Sequence, residues 1–95
     1  MSNLFKAIDV WRRLDGRAVR YRCFQVIPGG GFCVQSADFY RLPIDAEQAQ
    51  SLDEQFVDLL IGQAPDQRDL TFPSLEEAIA HHDREFTDVA RGNAP

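Results

Sequence analysis

The chain has only two cysteines in 95 residues, too few for the disulfide framework of a small secreted domain. No apolar run approaches the ~20 residues needed to cross a bilayer. The opening Met1-Ser2-Asn3-Leu4-Phe5-Lys6 lacks the basic start, apolar stretch and small-residue cleavage site of a signal peptide, so the cytoplasm is the expected compartment. No internal repeat, linker or family signature breaks the chain, and one domain over residues 1–95 is expected. A phosphate cradle is missing too. Gly29-Gly30-Gly31 lies between two strand patterns and no Lys-Ser/Thr follows it, which makes it a hairpin turn.

What is present is ordinary globular composition, 44% apolar and 26% charged. The net charge of −5 is unevenly spread. Residues 1–42 hold seven Lys or Arg against three Asp or Glu, and residues 43–95 hold three against twelve. Such segregation either pairs within the fold or is shown to partners. The acidic total speaks against a dedicated nucleic-acid binder.

Residues 7–42 read as three antiparallel strands. Residues 4–14 also fit a helical stripe through Leu4, Ala7, Ile8, Trp11 and Leu14. A strand over about residues 7–14 is chosen because it alone brings charge and aromatic rows across to the next strand, and Asp15-Gly16 is also a strong two-residue hairpin signal. It then sets Ile8 opposite Cys23, Asp9 opposite Arg22, Val10 opposite Tyr21 and Trp11 opposite Arg20. A three-residue glycine loop next sets Tyr21 opposite Phe39, Arg22 opposite Asp38 and Cys23 opposite Ala37. Pro28 is read as the end of the second strand. In this register Cys23 and Cys33 share the inner face about 13 Å apart, too far for a disulfide. Both are expected to be reduced, buried and inert.

Residues 45–61 read as a helix opened by Asp45, with the stripe Ala49, Leu52, Phe56, Leu59 and Leu60 and a left-handed stop at Gly62. Residues 74–87 read as a second helix, opened by a Ser74–Glu77 capping box and carrying Leu75, Ala78, Ile79, His82 and Phe86 on one face. Residues 88–95 are expected to fray. The sum is an α+β fold, a three-stranded meander with both helices packed on one face as a two-layer sandwich. Arg12, Arg17 and Arg41 gather at the far end of the meander, with Glu47 or Asp53 as expected partners.

Candidate chemistry is sparse. His81-His82-Asp83 is the one cluster with a metal-ligand or acid/base character. Adjacent helical residues diverge by about 100°, so two neighbouring histidines do not serve one ion well. His82 falls in the apolar stripe, where a hydrogen-bonded structural histidine is the simpler expectation. Neither a metal, a cofactor, a catalytic residue nor a small-molecule substrate is implied.

The outer sheet face is different. Trp11, Arg20 and Tyr40 form one row, Arg22 lies beside it, and Phe24, Val26 and Val34 continue toward the glycine turn. Self-coverage by Leu4, Phe5 or the C-terminal tail is one outcome. Stacking of single-stranded bases on the aromatic residues is another. Trp, Tyr and Arg are the residue types enriched at interface hot spots. The favoured expectation is therefore a non-catalytic accessory or regulatory domain that binds another protein, or a second copy of itself, through these seven residues. A nucleic-acid partner or a small enzyme around His81 and His82 is the alternative.

Overall fold

The structure, a computed structural model, describes residues 3–93 and side chains through residue 85. Asp15-Gly16 makes the first turn, with Gly16 at φ +74°, and the flanking residues pair as the turn dictates. β1 (Leu4–Leu14) lies antiparallel to β2 (Arg17–Ile27), with Ile8 opposite Cys23, Asp9 opposite Arg22 and Trp11 opposite Arg20. β3 (Phe32–Arg41) completes a β1-β2-β3 sheet. The α+β meander is thus what the sequence predicts.

The second turn is centred earlier in the chain than expected, and the difference moves residues between faces. β2 ends at Ile27, immediately before Pro28, as expected, but the turn centres on Pro28 and Gly29: Val26 N–H donates to Gly31 O (2.9 Å) and Gly30 N–H to Val26 O (3.0 Å). Gln25 therefore opposes Phe32, Phe24 opposes Cys33 and Cys23 opposes Val34. Between Arg22 and Cys23 the register shifts, and Gln35 is the extra residue of a bulge. Beyond it Arg22 opposes Ser36, Tyr21 opposes Ala37 and Val19 opposes Phe39. In that half the slip is two residues, so the expected faces are kept. In the half beside the turn it is three, so Cys33 moves to the outer face and Val34 to the inner one. Gly31 has a further reason to be glycine. A Cβ there would stand 2.7 Å from the Phe72 carbonyl oxygen, because Phe32 and Phe72 exchange two backbone hydrogen bonds.

Three helices follow: α1 (Ala46–Gly62), the single turn α2 (Pro65–Arg68) and α3 (Leu75–Asn93). The Asp45 carboxylate accepts from the Glu47 and Gln48 amides, and Ser74 Oγ accepts from the Glu77 amide. Gly62 is not a left-handed stop. It is the last helical residue, and the extended Gln63 closes α1 by donating to Leu59 O. α3 runs on to Asn93 through the segment expected to fray, while the Phe86 side chain and residues 94–95 lie outside the described residues.

The helices divide between the two faces instead of sharing one. Ala78 and Ile79 of α3 join Val19, Tyr21, Cys23 and Val34 in the inner core. α1 lies on the opposite face, where Phe56 stacks on Phe24 at 5.4 Å. The cause is β2 itself. Near the glycine turn it is apolar on both sides, and Cys23, Phe24 and Val26 are all fully buried, so each face requires its own cover. Among the described residues no helix is long and apolar enough to cross a membrane.

Candidate functional site

The outer face has a covered half and an open half. In the covered half Phe24 is sandwiched between Phe56 of α1 and Phe5 of β1, whose ring stands edge-on at 6.1 Å. The bulge residue Gln35 donates to the Phe56 carbonyl (3.1 Å). Arg22, only 3% exposed, pairs with Asp38 through Nε and with Asp53 of α1 through Nη2 at 2.7 Å, and its guanidinium lies over the Phe56 ring. Burial opposes the charge on Arg22, but hydrogen bonds to Asp38 and Asp53 outweigh it and raise the pKa above its ordinary value. In return Arg22 holds the Asp53 carboxyl below its usual range. Arg22, Phe24 and Val26 are therefore parts of the fold rather than of a free surface, and Val34 is in the inner core.

The open half keeps Trp11, Arg20 and Tyr40 together, although not in one row. Across the strands the rows are Trp11–Arg20–Asp38 and Arg13–Ala18–Tyr40. Ala18 is too small to fill the space between its neighbours, so Trp11 and Tyr40 meet diagonally above it at 5.4 Å. Arg20 lies over the Trp11 ring at 5.3 Å and pairs with Asp9 at 2.7 Å, and the Asp9 hydrogen bond raises its pKa. The tryptophan is held from below and is still 55% exposed.

Beyond Tyr40 this surface runs into a cleft of about 600 Å³ at the end of the first hairpin. Leu14, Ala18, Tyr40, Leu42 and Ile44 supply its apolar walls, and Arg13, Arg17 and Arg41 stand around it with Asp15. Arg17 and Arg41 face each other directly across β2 and β3. Among the described residues neither of them, nor Arg13, has a carboxylate within ion-pair distance. Arg12 lies on the same side of the sheet as Arg17 and Arg41, as expected, but its partner is Asp83 of α3 rather than Glu47 or Asp53. Sequence reasoning missed Arg13, Ala18, Leu42 and Ile44. The available signal was the apolar pair Leu42 and Ile44 around Pro43.

His81, His82 and Asp83 serve the attachment of α3. Asp83 accepts from Tyr21 Oη (2.6 Å) and from Arg12 (2.9 Å), which fastens the helix to β2 and β1. His82 stands edge-on to Tyr21, and burial lowers its pKa. His81 packs on the Phe72 ring and reaches Glu85 at 3.7 Å. The two histidines share a pocket of about 280 Å³ with Asp69, whose carboxyl burial pushes up. Among the described residues no three His, Cys, Asp or Glu side chains form a metal-binding group. Compared with protein-family models, with curated proteins and with solved structures, the chain matches none of them.

Proposed function

We propose that the chain is a small non-catalytic association domain, accessory or regulatory in kind, which binds another protein chain through the open half of its outer sheet face. The observation that carries this proposal is Trp11, exposed at 55% yet oriented by Tyr40 and Arg20. A large aromatic side chain fixed before binding loses little conformational freedom on contact, and Trp, Tyr and Arg dominate interface hot spots. Exposed Leu42 and Ile44 extend the same surface beyond Tyr40. The cytoplasm is the proposed compartment, supported by two buried free thiols that lie on opposite faces of the sheet.

Photo-crosslinking tests this directly. Benzoylphenylalanine at position 13, beside Trp11 on the open half, is expected to join the domain to a protein. At the exposed position 67 on α2, at the other end of β1, it is expected to give no product. Crosslinks from position 13 to nucleic acid, or none at all, overturn the proposal.

A further inference from the structure

Within that association reading, on which this step rests, we propose that the partner is a second copy of this chain. Each copy inserts the outer side of its α1 into the arginine-rimmed cleft of the other. Four observations meet here. α1 spans Ala46–Gly62 without one buried residue, which is unusual for an amphipathic helix in a finished core. Its inner side is spent on Asp53 and Phe56, while Glu54, Val57, Asp58 and Ile61 fall at i, i+3, i+4 and i+7 on another side. Of these, Val57 is 48% and Ile61 79% exposed.

The cleft is the complement of that stripe. It offers apolar walls for Val57 and Ile61, and Arg13, Arg17 and Arg41 for Glu54 and Asp58. Like charges directly opposite on a sheet are destabilising, and among the described residues no carboxylate, Asp15 included, comes within ion-pair distance of Arg17 or Arg41. A carboxylate from another chain removes that repulsion. α1 carries Glu47, Asp53, Glu54 and Asp58 and no basic residue at all.

The placement is also compatible with closed symmetry. α1 packs on the face that carries Trp11, Arg20 and Tyr40, with Asp53 beside Arg20, and the cleft opens at the first-hairpin end of the strands. A twofold axis that brings the α1 of one copy into the cleft of the other brings the reverse contact with it. Such an isologous contact closes at two copies and leaves no free end for a filament. Tyr40 lines that cleft and touches Trp11, which links this contact to the surface proposed above.

The test is a charge exchange read by light scattering after gel filtration, with circular dichroism as the check on folding. Wild type is expected at the mass of a dimer at micromolar concentration. The pair Arg17→Glu with Arg41→Glu, and separately the pair Glu54→Arg with Asp58→Arg, are each expected to give folded monomers. Each pair sets like charges against one another in its own homodimer. Mixed in equal amounts, the two variants are expected to recover a dimer, because both contacts of the mixed pair are again complementary. A monomeric wild type overturns the proposal, and this result needs no variant to fold. Variants that remain dimeric, or a mixture that remains monomeric, overturn it too. A monomeric wild type whose position 13 still crosslinks to a different protein removes the second copy and leaves the association reading standing.

Discussion

Arg22 shows how one side chain ties β2 to both β3 and α1, through Asp38 and Asp53. It was legible in the sequence as the partner of Asp38 in an opposed pair; the slipped register makes the contact diagonal, but the two still meet. Asp38 is buried as well, so removing Arg22 strands a carboxylate without a cation. Arg22→Ala is expected to cost about 3–5 kcal/mol in chemical denaturation, as for other broken buried pairs. Replacing both by Arg22→Met with Asp38→Leu is expected to cost clearly less, and equal losses would contradict the burial argument. The cysteines show the opposite case. Their burial was foreseeable, their geometry was not, because neither the centre of the second turn nor a bulge at Gln35 has a distinct sequence signature, and together they put Cys33 on the other face. Burial raises Cys23 from 9.0 to about 12 and Cys33 to about 11. A thiol raised on folding adds no penalty below its unfolded value, so stability is complete below pH 9 and declines as pH climbs through 11 to 12. Thiol titration of native protein at neutral pH should be slow for both residues and show no internal disulfide; rapid reaction of either would contradict its burial.

At the scale of elements, turns and stripes were legible and their assignment to faces was not. Asp15-Gly16 admits one tight hairpin and so determined every β1–β2 pair. Pro28 followed by three glycines admits several turn centres, and the wrong one displaced β3. A helical stripe likewise says that a helix is buried on one side without saying against which sheet face. The missing clue was in β2, where Phe24 and Val26 alternate with Cys23 and leave neither face polar. The two long helices consequently differ in grip. α3 lays Ala78 and Ile79 into the core and is pinned through Asp83, whereas α1 holds by Phe56, Gln35 and the Arg22–Asp53 pair. Ser74→Ala should cost about 1 kcal/mol through the lost cap of α3. Phe56→Ala should cost about 2 kcal/mol, below the 3–5 typical of a fully buried ring because Phe56 is only half-buried. Denaturant midpoints measure both. Hydrogen exchange should show α1 amides opening before those of β2; equal protection would mean that α1 is held more firmly than its contacts indicate.

For the whole molecule, the segregation of charge was visible in the sequence, but its destination was not. Part of it is settled inside the fold: Arg12 finds Asp83, and Arg20 and Arg22 find Asp53. The remainder, Arg13, Arg17 and Arg41 at one end of the sheet and Glu54 and Asp58 on α1, is left facing outward. This division sets the sign of the salt response. In a monomer, added salt screens the Arg17–Arg41 repulsion and raises the melting temperature slightly. In a dimer that joins these arginines to α1 carboxylates, salt screens the attraction that holds the copies together, since exposed charges lose most of their interaction when the Debye length falls to about 3 Å near 1 M. A dimer's stability also rises with protein concentration by mass action. The wild-type melting temperature is therefore expected to increase with protein concentration and to fall as salt is added. The Glu54→Arg with Asp58→Arg variant keeps the arginine cluster but loses the contact, and its melting temperature should be independent of concentration and rise with salt. Differential scanning calorimetry over a concentration series at low and high salt measures both signs, and a wild type that behaves like the variant would place the unpaired arginines in a monomer.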